Sequence, residues 1–239
     1  MKGVVLAGGM GTRLLPLTKV TNKHLLPVYD KPMIYYPINT LARMGIKDVL
    51  VVTGGQSSTD FLRLLGYGKD FDLDRLNYIH QDDATGIAGA LALAEEFVEG
   101  DQVCFVLGDN IVKESLSSER YIFEHQKIGG RILLKEVPDP ERFGIAEVEG
   151  TKVISIEEKP KKPKSNLAVI GIYFYDSDVF QIAKTIKPSS RGELEITDIN
   201  NWYVRHGLMT YGHILGYWAD AGTIESLAET SEEVAHWRD

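Results

Sequence analysis

The 239-residue sequence is 44% hydrophobic and 25% charged, an ordinary globular balance with material for one large α/β core. Its formal net charge of −8 argues against a nucleic-acid-binding surface, so an anionic substrate has to be met by a local group of cations. The single cysteine, Cys104, excludes a disulfide framework within the chain, and no apolar run reaches the ~18 residues of a membrane span.

Met1-Lys2-Gly3 leads straight into an apolar strand, Val4 to Ala7, which leaves no room for a leader peptide; a cytoplasmic protein is expected. Pro32 to Met44 opens on a proline and repeats apolar residues at Ile34, Ile38, Leu41 and Met44, the spacing of a helix. Val49 to Thr53 is a short β-branched strand. Ser57 or Ser58 can cap a helix running to Leu65, Tyr78 to His80 forms a short strand, and Ile87 to Phe97 reads as a helix stopped at Gly100. Val103 to Leu107 is a wholly apolar strand closed by Gly108-Asp109-Asn110, and Cys104 within it is expected to be buried rather than reactive. Strands apolar on both faces and separated by helices predict a parallel, doubly wound sheet.

The second half changes character. Ile132 to Val137, Ile145 to Val148, Val153 to Glu158 and Val169 to Tyr175 are strands joined by short turns, with Pro138, Pro140, Pro160 and Pro163 between them. Such clustering predicts a β-rich lobe added to the sheet. Helices return at Asp178 to Lys184 and Ile196 to Arg205, a strand follows at Met209 to Ile214, and Thr223 to Trp237 is a terminal helix. No internal repeat, low-complexity segment or linker interrupts the chain, so a single domain over 1–239 with one shared core is expected.

The first strand ends in Gly8, Gly9 and Gly11, followed by Thr12 and Arg13. Glycines after a strand let the backbone turn sharply and aim several N–H donors at one anion, and arginine adds a planar donor fork suited to phosphate oxygens. The stretch is neither of two better-known loops. A Walker loop needs Lys-Ser or Lys-Thr after its glycines, and Gly9-Met10-Gly11-Thr12-Arg13 continues with Leu14 where a dinucleotide fingerprint needs glycine. A phosphate-cradling loop is expected.

Lys23, in the loop beyond, is either a solvated charge or a second phosphate-facing cation. Asp109 ends the most apolar strand, and ligands of open α/β sheets bind outside the carboxyl ends of strands; it is a candidate Mg²⁺ ligand or, equally, a turn-forming Asp. Asp220, before the last helix, is either a structural turn residue or a second carboxylate, and spacing alone cannot bring it to Asp109. Glu158, Lys159 and Arg191 are solvated strand-end and loop charges unless the β-rich lobe turns them toward a cleft, where Glu158 can accept sugar hydroxyls and the two cations can hold a sugar phosphate. The six histidines show no metal spacing, and no Ser sits in a G-x-S-x-G elbow, so zinc chemistry and acyl transfer are not expected.

Leu6 to Leu14, Asn22 to Pro37, Leu107 to Asn110, Pro138 to Gly144, Glu157 to Pro160 and Ser190 to Asn200 together resemble the sugar-1-phosphate nucleotidylyltransferases, over essentially the whole chain; the last of these motifs points to their thymidylyl branch. The resemblance implies a Rossmann-like mixed, mostly parallel doubly wound sheet with a β-rich sugar-binding lobe. Residues 1–110 would form the nucleotide-binding half and 111–239 the sugar-binding half. It implies transfer of a deoxythymidylyl group from dTTP to α-D-glucose 1-phosphate, giving dTDP-glucose and pyrophosphate on the way to dTDP-rhamnose-type deoxysugars. The alternatives are a UTP-using uridylyltransferase and a non-catalytic nucleotide-sugar-binding module.

Carried over residue by residue, the resemblance places Leu6, Ala7, Gly8, Gly9, Gly11, Thr12 and Arg13 around the nucleotide, with His24, Gln81 and Gly86, the last two reading the base. Arg13 and Lys23 meet phosphates, and Asp109 and Asp220 match Mg²⁺ ligands, with Arg13, Lys23 and Asp109 as the catalytic group. Asn110, Gly144, Glu158, Lys159 and Val169 match the sugar side, and Arg191 a position near the sugar phosphate. A homo-oligomer is expected, with no membrane or nucleic-acid partner. Departures from the family are His24 and Gly89, where many relatives carry Gln, and Ile170, where many carry Thr. Longer members continue beyond the position of Asp239 with helices that build a regulatory site between subunits, so feedback through that site is left open.

Overall fold

The computed structural model describes residues 1–55, 57–82, 86–189 and 192–237. Its strands are β1 (Lys2–Ala7), β2 (Pro27–Val28), β3 (Lys31–Pro32), β4 (Asp48–Gly54), β5 (Arg75–Gln81), β6 (Val103–Leu107), β7 (Asn110–Val112), β8 (Gly130–Glu136), β9 (Gly144–Glu149), β10 (Lys152–Glu158), β11 (Leu167–Tyr175), β12 (Met209–His213) and β13 (Trp218–Asp220). The helices are α1 (Tyr35–Arg43), α2 (Ser58–Leu65), α3 (Ile87–Ala92), α4 (Glu95–Val98), α5 (Ser117–Gln126), α6 (Val179–Ala183), α7 (Ile196–Arg205) and α8 (Ile224–Val234). Together they form a mixed α/β fold with a mainly parallel central sheet. Among the described residues, no helix is long and apolar enough to cross a membrane.

The chain divides into two compact units, each assembled from three stretches of sequence. One takes Gly3–Ala84, Val106–Leu116 and Gly216–Asp239. In it β1, β4 and β5 run parallel, in register from Gly3 opposite Val49 to Ala7 opposite Thr53, and from Asp48 opposite Arg75 to Gly54 opposite Gln81. Val4, Val5, Val49, Val51 and Val52 are fully buried, as strands covered on both faces require. The parallel register brings the carboxyl ends of all three strands, Ala7, Gly54 and Gln81, to one edge. A short antiparallel ribbon joins β7 to β13, setting Asp220 opposite Asn110.

Helix α8 starts on a reciprocal cap. Thr223 Oγ1 accepts the Ser226 N–H at 3.2 Å and Ser226 Oγ accepts the Thr223 N–H at 3.1 Å. The helix then lays Leu227 and Val234 onto Leu14, Leu26, Met33 and Ile111. We expect Thr223→Ala to lower stability by about 1 kcal/mol, read as a lower urea midpoint at unchanged slope. An unchanged midpoint would show that packing alone holds the helix.

The other unit takes Met1–Lys2, Thr85–Phe105 and Ser117–Leu215 and is rich in strands, as expected. Here β11 pairs antiparallel with β8 and β9, β9 with β10, and β12 runs parallel to β8. Cys104 is fully buried, and burial pushes its thiol well above the ordinary range, in keeping with an inert core residue.

Several elements differ from the sequence-based expectation. The first helix starts at Tyr35, not Pro32: Pro32 lies in the β2–β3 ribbon opposite Pro27, and the Met33 and Ile34 amides donate to Leu26 and His24 carbonyls. Pro37 falls in the first helical turn, where its missing N–H leaves no bond unmade. Ser57 occupies the cap position of α2 without a side-chain bond, while Ser58 Oγ turns to Thr53 Oγ1 and His80 Nδ1 at 2.9 and 2.8 Å. The helix expected over Ile87 to Phe97 is split into α3 and α4 by a tight turn in which the Ala94 amide bonds to Leu91. Helix α5 was not anticipated, because Phe123 alone among its residues is buried and no apolar period marks it.

Candidate active site

Strand β1 delivers the chain at Ala7 into Gly8-Gly9-Met10-Gly11 and a 3₁₀ turn over Thr12–Leu14. Gly8 and Gly11 each have a physical reason. A Cβ on Gly54 would stand 2.7 Å from the Gly8 carbonyl oxygen and one on Gly8 3.0 Å from Gln81 Oε1, so the loop lies tight against the ends of β4 and β5. Gly11 sits at φ +64°, a left-handed conformation suited to glycine, and its carbonyl accepts from Thr18 Oγ1 at 2.7 Å. Thr12 and Arg13 are exposed.

A buried asparagine ties this loop to the next. Asn22 Nδ2 donates to the Ala7 carbonyl at 3.1 Å, while its Oδ1 accepts the His24 backbone N–H at 2.9 Å and lies 2.7 Å from His24 Nδ1. With Nδ2 committed to a carbonyl, Oδ1 can only accept, so Nδ1 of His24 carries the ring proton. Burial, reinforced by the Lys23 ammonium, lowers the His24 pKa to about 3 and keeps the ring neutral. The ring also lies where a Cβ on Gly108 would stand, 2.6 Å from His24 Cδ2.

Lys23, thus held at the start of its 3₁₀ turn (Lys23–Leu25), forms a direct ion pair with Asp109, and both side chains are nearly buried. Burial alone would raise the Asp109 carboxyl. The adjacent Lys23 charge, with hydrogen bonds from Lys23 and from Asn110 Nδ2, outweighs it and holds Asp109 below the ordinary carboxylate range.

Asp220 arrives through the β7–β13 ribbon, and the Ala221 N–H donates to the Asp109 carbonyl at 2.9 Å. Its Oδ1 accepts the Gly222 N–H at 2.9 Å. A Cβ on Gly222 would lie 2.6 Å from Asp220 Oδ1, 2.8 Å from Arg13 Nη2 and 3.3 Å from Asp109 Oδ2, so two carboxylates and a guanidinium converge on one point. Burial and the neighbouring Asp109 charge push Asp220 up to about 6.

Asn110, buried beside them, accepts from Trp218 Nε1 at 2.7 Å. Two oxygen donors suit Mg²⁺, which takes one or two protein carboxylates and keeps water and phosphate oxygens for its remaining positions. Among the described residues no group of three or more His, Cys, Asp and Glu gathers into a closed protein cage for a metal.

Of the residues expected on the sugar side, Gly144, Glu158, Lys159 and Val169 lie in the strand-rich unit. There Glu158 pairs with Gly144 across β10 and β9, a Cβ on Gly144 would be 3.2 Å from Glu158 Oε2, and Thr197 Oγ1 donates to that oxygen at 2.9 Å. Lys159 Nζ is 3.7 Å from Glu158 Oε1, and half-buried Val169 of β11 is opposite Leu134 of β8. Gly86 belongs to the same unit at φ +88°, where a Cβ would be 2.8 Å from the Leu194 carbonyl oxygen. Arg191 lies outside the described residues.

Residues 2–236 match the family described as Nucleotidyl transferase. This chain belongs to the nucleotidyl transferase family. The glucose-1-phosphate thymidylyltransferase of Neisseria meningitidis is 47% identical to it, over 98% of this chain and 82% of the relative. The enzyme of that name from Mycolicibacterium smegmatis is 44% identical over the same shares. A Bacillus anthracis protein provisionally assigned the same activity, crystallised with sucrose, superposes with a TM-score of 0.95 at 49% identity, covering 100% of this chain and 97% of that one. A UDP-glucose pyrophosphorylase bound to UDP-glucose shares the fold, with a TM-score of 0.88 at 24% identity, over 99% of each chain.

Sequence reasoning about this nucleotidyl transferase gave Asn22 no role of its own, although it opens the Asn22 to Pro37 motif. The available signal was local: an Asn directly before Lys23-His24-Leu25 stands where a helical turn takes its cap.

Proposed function

We propose that this nucleotidyl transferase moves a deoxythymidylyl group from dTTP to α-D-glucose 1-phosphate, giving dTDP-glucose and pyrophosphate, the first step toward dTDP-rhamnose-type deoxysugars. The observation that carries this is the convergence of Arg13, Lys23, Asp109 and Asp220 beside the glycine loop of β1, joined to the activity named for the 42–47% identical relatives. The Leu6 to Arg13 loop and Gln81 take the nucleotide in this proposal, with Gly86 as a second base contact. Asn110, Gly144, Glu158, Lys159, Val169 and Arg191 take the sugar phosphate.

No protein nucleophile is needed. A sugar phosphate whose second pKa is ~6 is largely dianionic at neutral pH, and its oxygen forms the new bond to the α-phosphorus as the α–β bridging P–O bond breaks. The electron pair leaves with pyrophosphate. Lys23 and Arg13 stabilise the charge that gathers on the departing oxygens, and the glycine-loop amides hold the triphosphate in line. Mg²⁺, held by Asp109 and Asp220, supplies further neutralisation of the phosphate charge when bound. His24, neutral and hydrogen-bonded to Asn22, keeps the loop and Lys23 in place and moves no proton.

The deciding assay is pyrophosphate release with dTTP or UTP against a panel of sugar 1-phosphates. Fastest release with dTTP and glucose 1-phosphate is expected. Faster release with UTP would overturn the thymidylyl assignment, and no release with any pair would leave a nucleotide-sugar-binding module.

Asp220 also predicts a pH effect. Its folded-state pKa, raised from 3.8 to about 6, lies above the unfolded one, so its protonated form stabilises the metal-free fold and that contribution is lost as pH rises through 6. A cation must displace the proton below pH 6 but not above it. We expect Mn²⁺ affinity to fall about tenfold between pH 7 and pH 5, with a smaller Mn²⁺-induced rise in melting temperature at the lower pH. A pH-independent affinity would show that Asp220 is not a ligand.

A further inference from the structure

Lys23 occupies a position with two possible partners. Its ammonium is paired with Asp109, yet the same Nζ lies 3.5 Å, and its Cε 3.2 Å, from where a Cβ on Gly9 would stand in the glycine loop. Its backbone is anchored on both sides: Asn22 caps the turn and is bonded to Ala7, and the His24 amide is bonded to Asn22. Only the flexible four-carbon stem is left to swing between the carboxylate and the loop. Among the described residues Asp220 forms no direct ion pair and takes the Gly222 amide, with the Lys23 and Arg13 charges acting on it from farther off, and exposed Arg13 forms no ion pair either.

We propose that Lys23 is a built-in counter-ion for Asp109 that is exchanged for a divalent cation as the triphosphate arrives, so that metal and nucleotide bind as a coupled pair. The proposal rests on the two-carboxylate metal assignment above. A cation arriving alone must break the Lys23–Asp109 pair and leave a nearly buried ammonium without a counter-charge. A triphosphate arriving alone draws Lys23 toward the loop and leaves Asp109 uncompensated beside Asp220. When both arrive, the cation replaces the ammonium on Asp109 and the phosphates replace Asp109 on the ammonium. Such coupling is reciprocal by thermodynamic necessity.

Calorimetric titration of the full chain with Mn²⁺ alone, and with dTTP in the presence of EDTA, tests this without turnover. Lys23→Met is expected to bind Mn²⁺ on the order of tenfold or more tighter than wild type, and to bind metal-free dTTP more weakly. Lys23→Arg, which keeps the charge, should retain wild-type Mn²⁺ affinity, and it preserves the test if the Met variant does not fold. Arg13→Met removes a charge near the same carboxylates without breaking the pair, and should change Mn²⁺ affinity less. Equal Mn²⁺ affinity in wild type and Lys23→Met overturns the counter-ion, as does an equally large gain in Arg13→Met. Absence of Mn²⁺ binding to every form, with and without dTTP, overturns the metal assignment itself and the counter-ion with it.

Discussion

Asp109→Asn is expected to lower kcat by about 10²–10³-fold or more while the protein stays folded. The amide fills the same space, can still accept from Asn110 Nδ2, and leaves untouched the main-chain bond from Ala221 to the Asp109 carbonyl. What disappears is the charge that pairs with Lys23 and the anionic oxygen offered to a cation. Because Lys23 is nearly buried, losing its partner lowers stability by about 2–3 kcal/mol, a cost Lys23 can reduce by swinging away from position 109. The measurements are pyrophosphate release at saturating Mg²⁺ and a thermal melt followed by circular dichroism. A variant with turnover within tenfold of wild type at high Mg²⁺ would remove Asp109 from the metal site. A variant lacking a cooperative melt would show that the pair is needed for folding.

Gly222→Ala is the second large effect, and it acts through space alone. Gly222 has no left-handed φ, so an alanine backbone is accommodated there. Its methyl, however, would enter between Asp220 Oδ1, Arg13 Nη2 and Asp109 Oδ2, the three groups on which the proposed chemistry depends. Exposed Arg13 can move aside, but Asp220 can retreat only by giving up its bond to the Gly222 amide. Displacement of a catalytic constellation by an ångström can cost about 10²-fold, and a loss of that order in kcat is expected. The melting temperature should change little, because the collision is with polar side chains rather than with the core. Activity within threefold of wild type would mean that the carboxylates do not meet their cation at this point.

The fold was legible wherever apolar residues were interrupted by strong punctuation. Val103 to Leu107 matches β6 because a run apolar on both faces ends at Gly108-Asp109, and Ile196 to Arg205 matches α7 because its 3.6-residue period is clean. Elements without a readable period did not follow from the sequence: α5 buries Phe123 alone, and β7 and β13, at three residues each, are too short to show one. The site divides the same way. Arg13 and the glycines follow from local pattern, whereas the meeting of Asp109 with Asp220 depends on the register of β7 on β13, which no spacing within either segment encodes. The Lys23–Asp109 pair and the asparagine clamp behind it belong to tertiary geometry for the same reason.

The pairing of β7 with β13 also sets an order of events during protein synthesis. The two strands are separated in sequence by the whole Ser117–Leu215 stretch of the other unit. A growing chain therefore possesses the glycine loop, Lys23 and Asp109 long before Trp218–Asp220 has been made, and closing so long a loop is a slow, late contact. Until then no second carboxylate is available to stand beside Asp109. Any nascent chain stalled before Asp220 lacks the carboxylate pair, so the capacity to hold a cation there is acquired only when the return strand has emerged and docked.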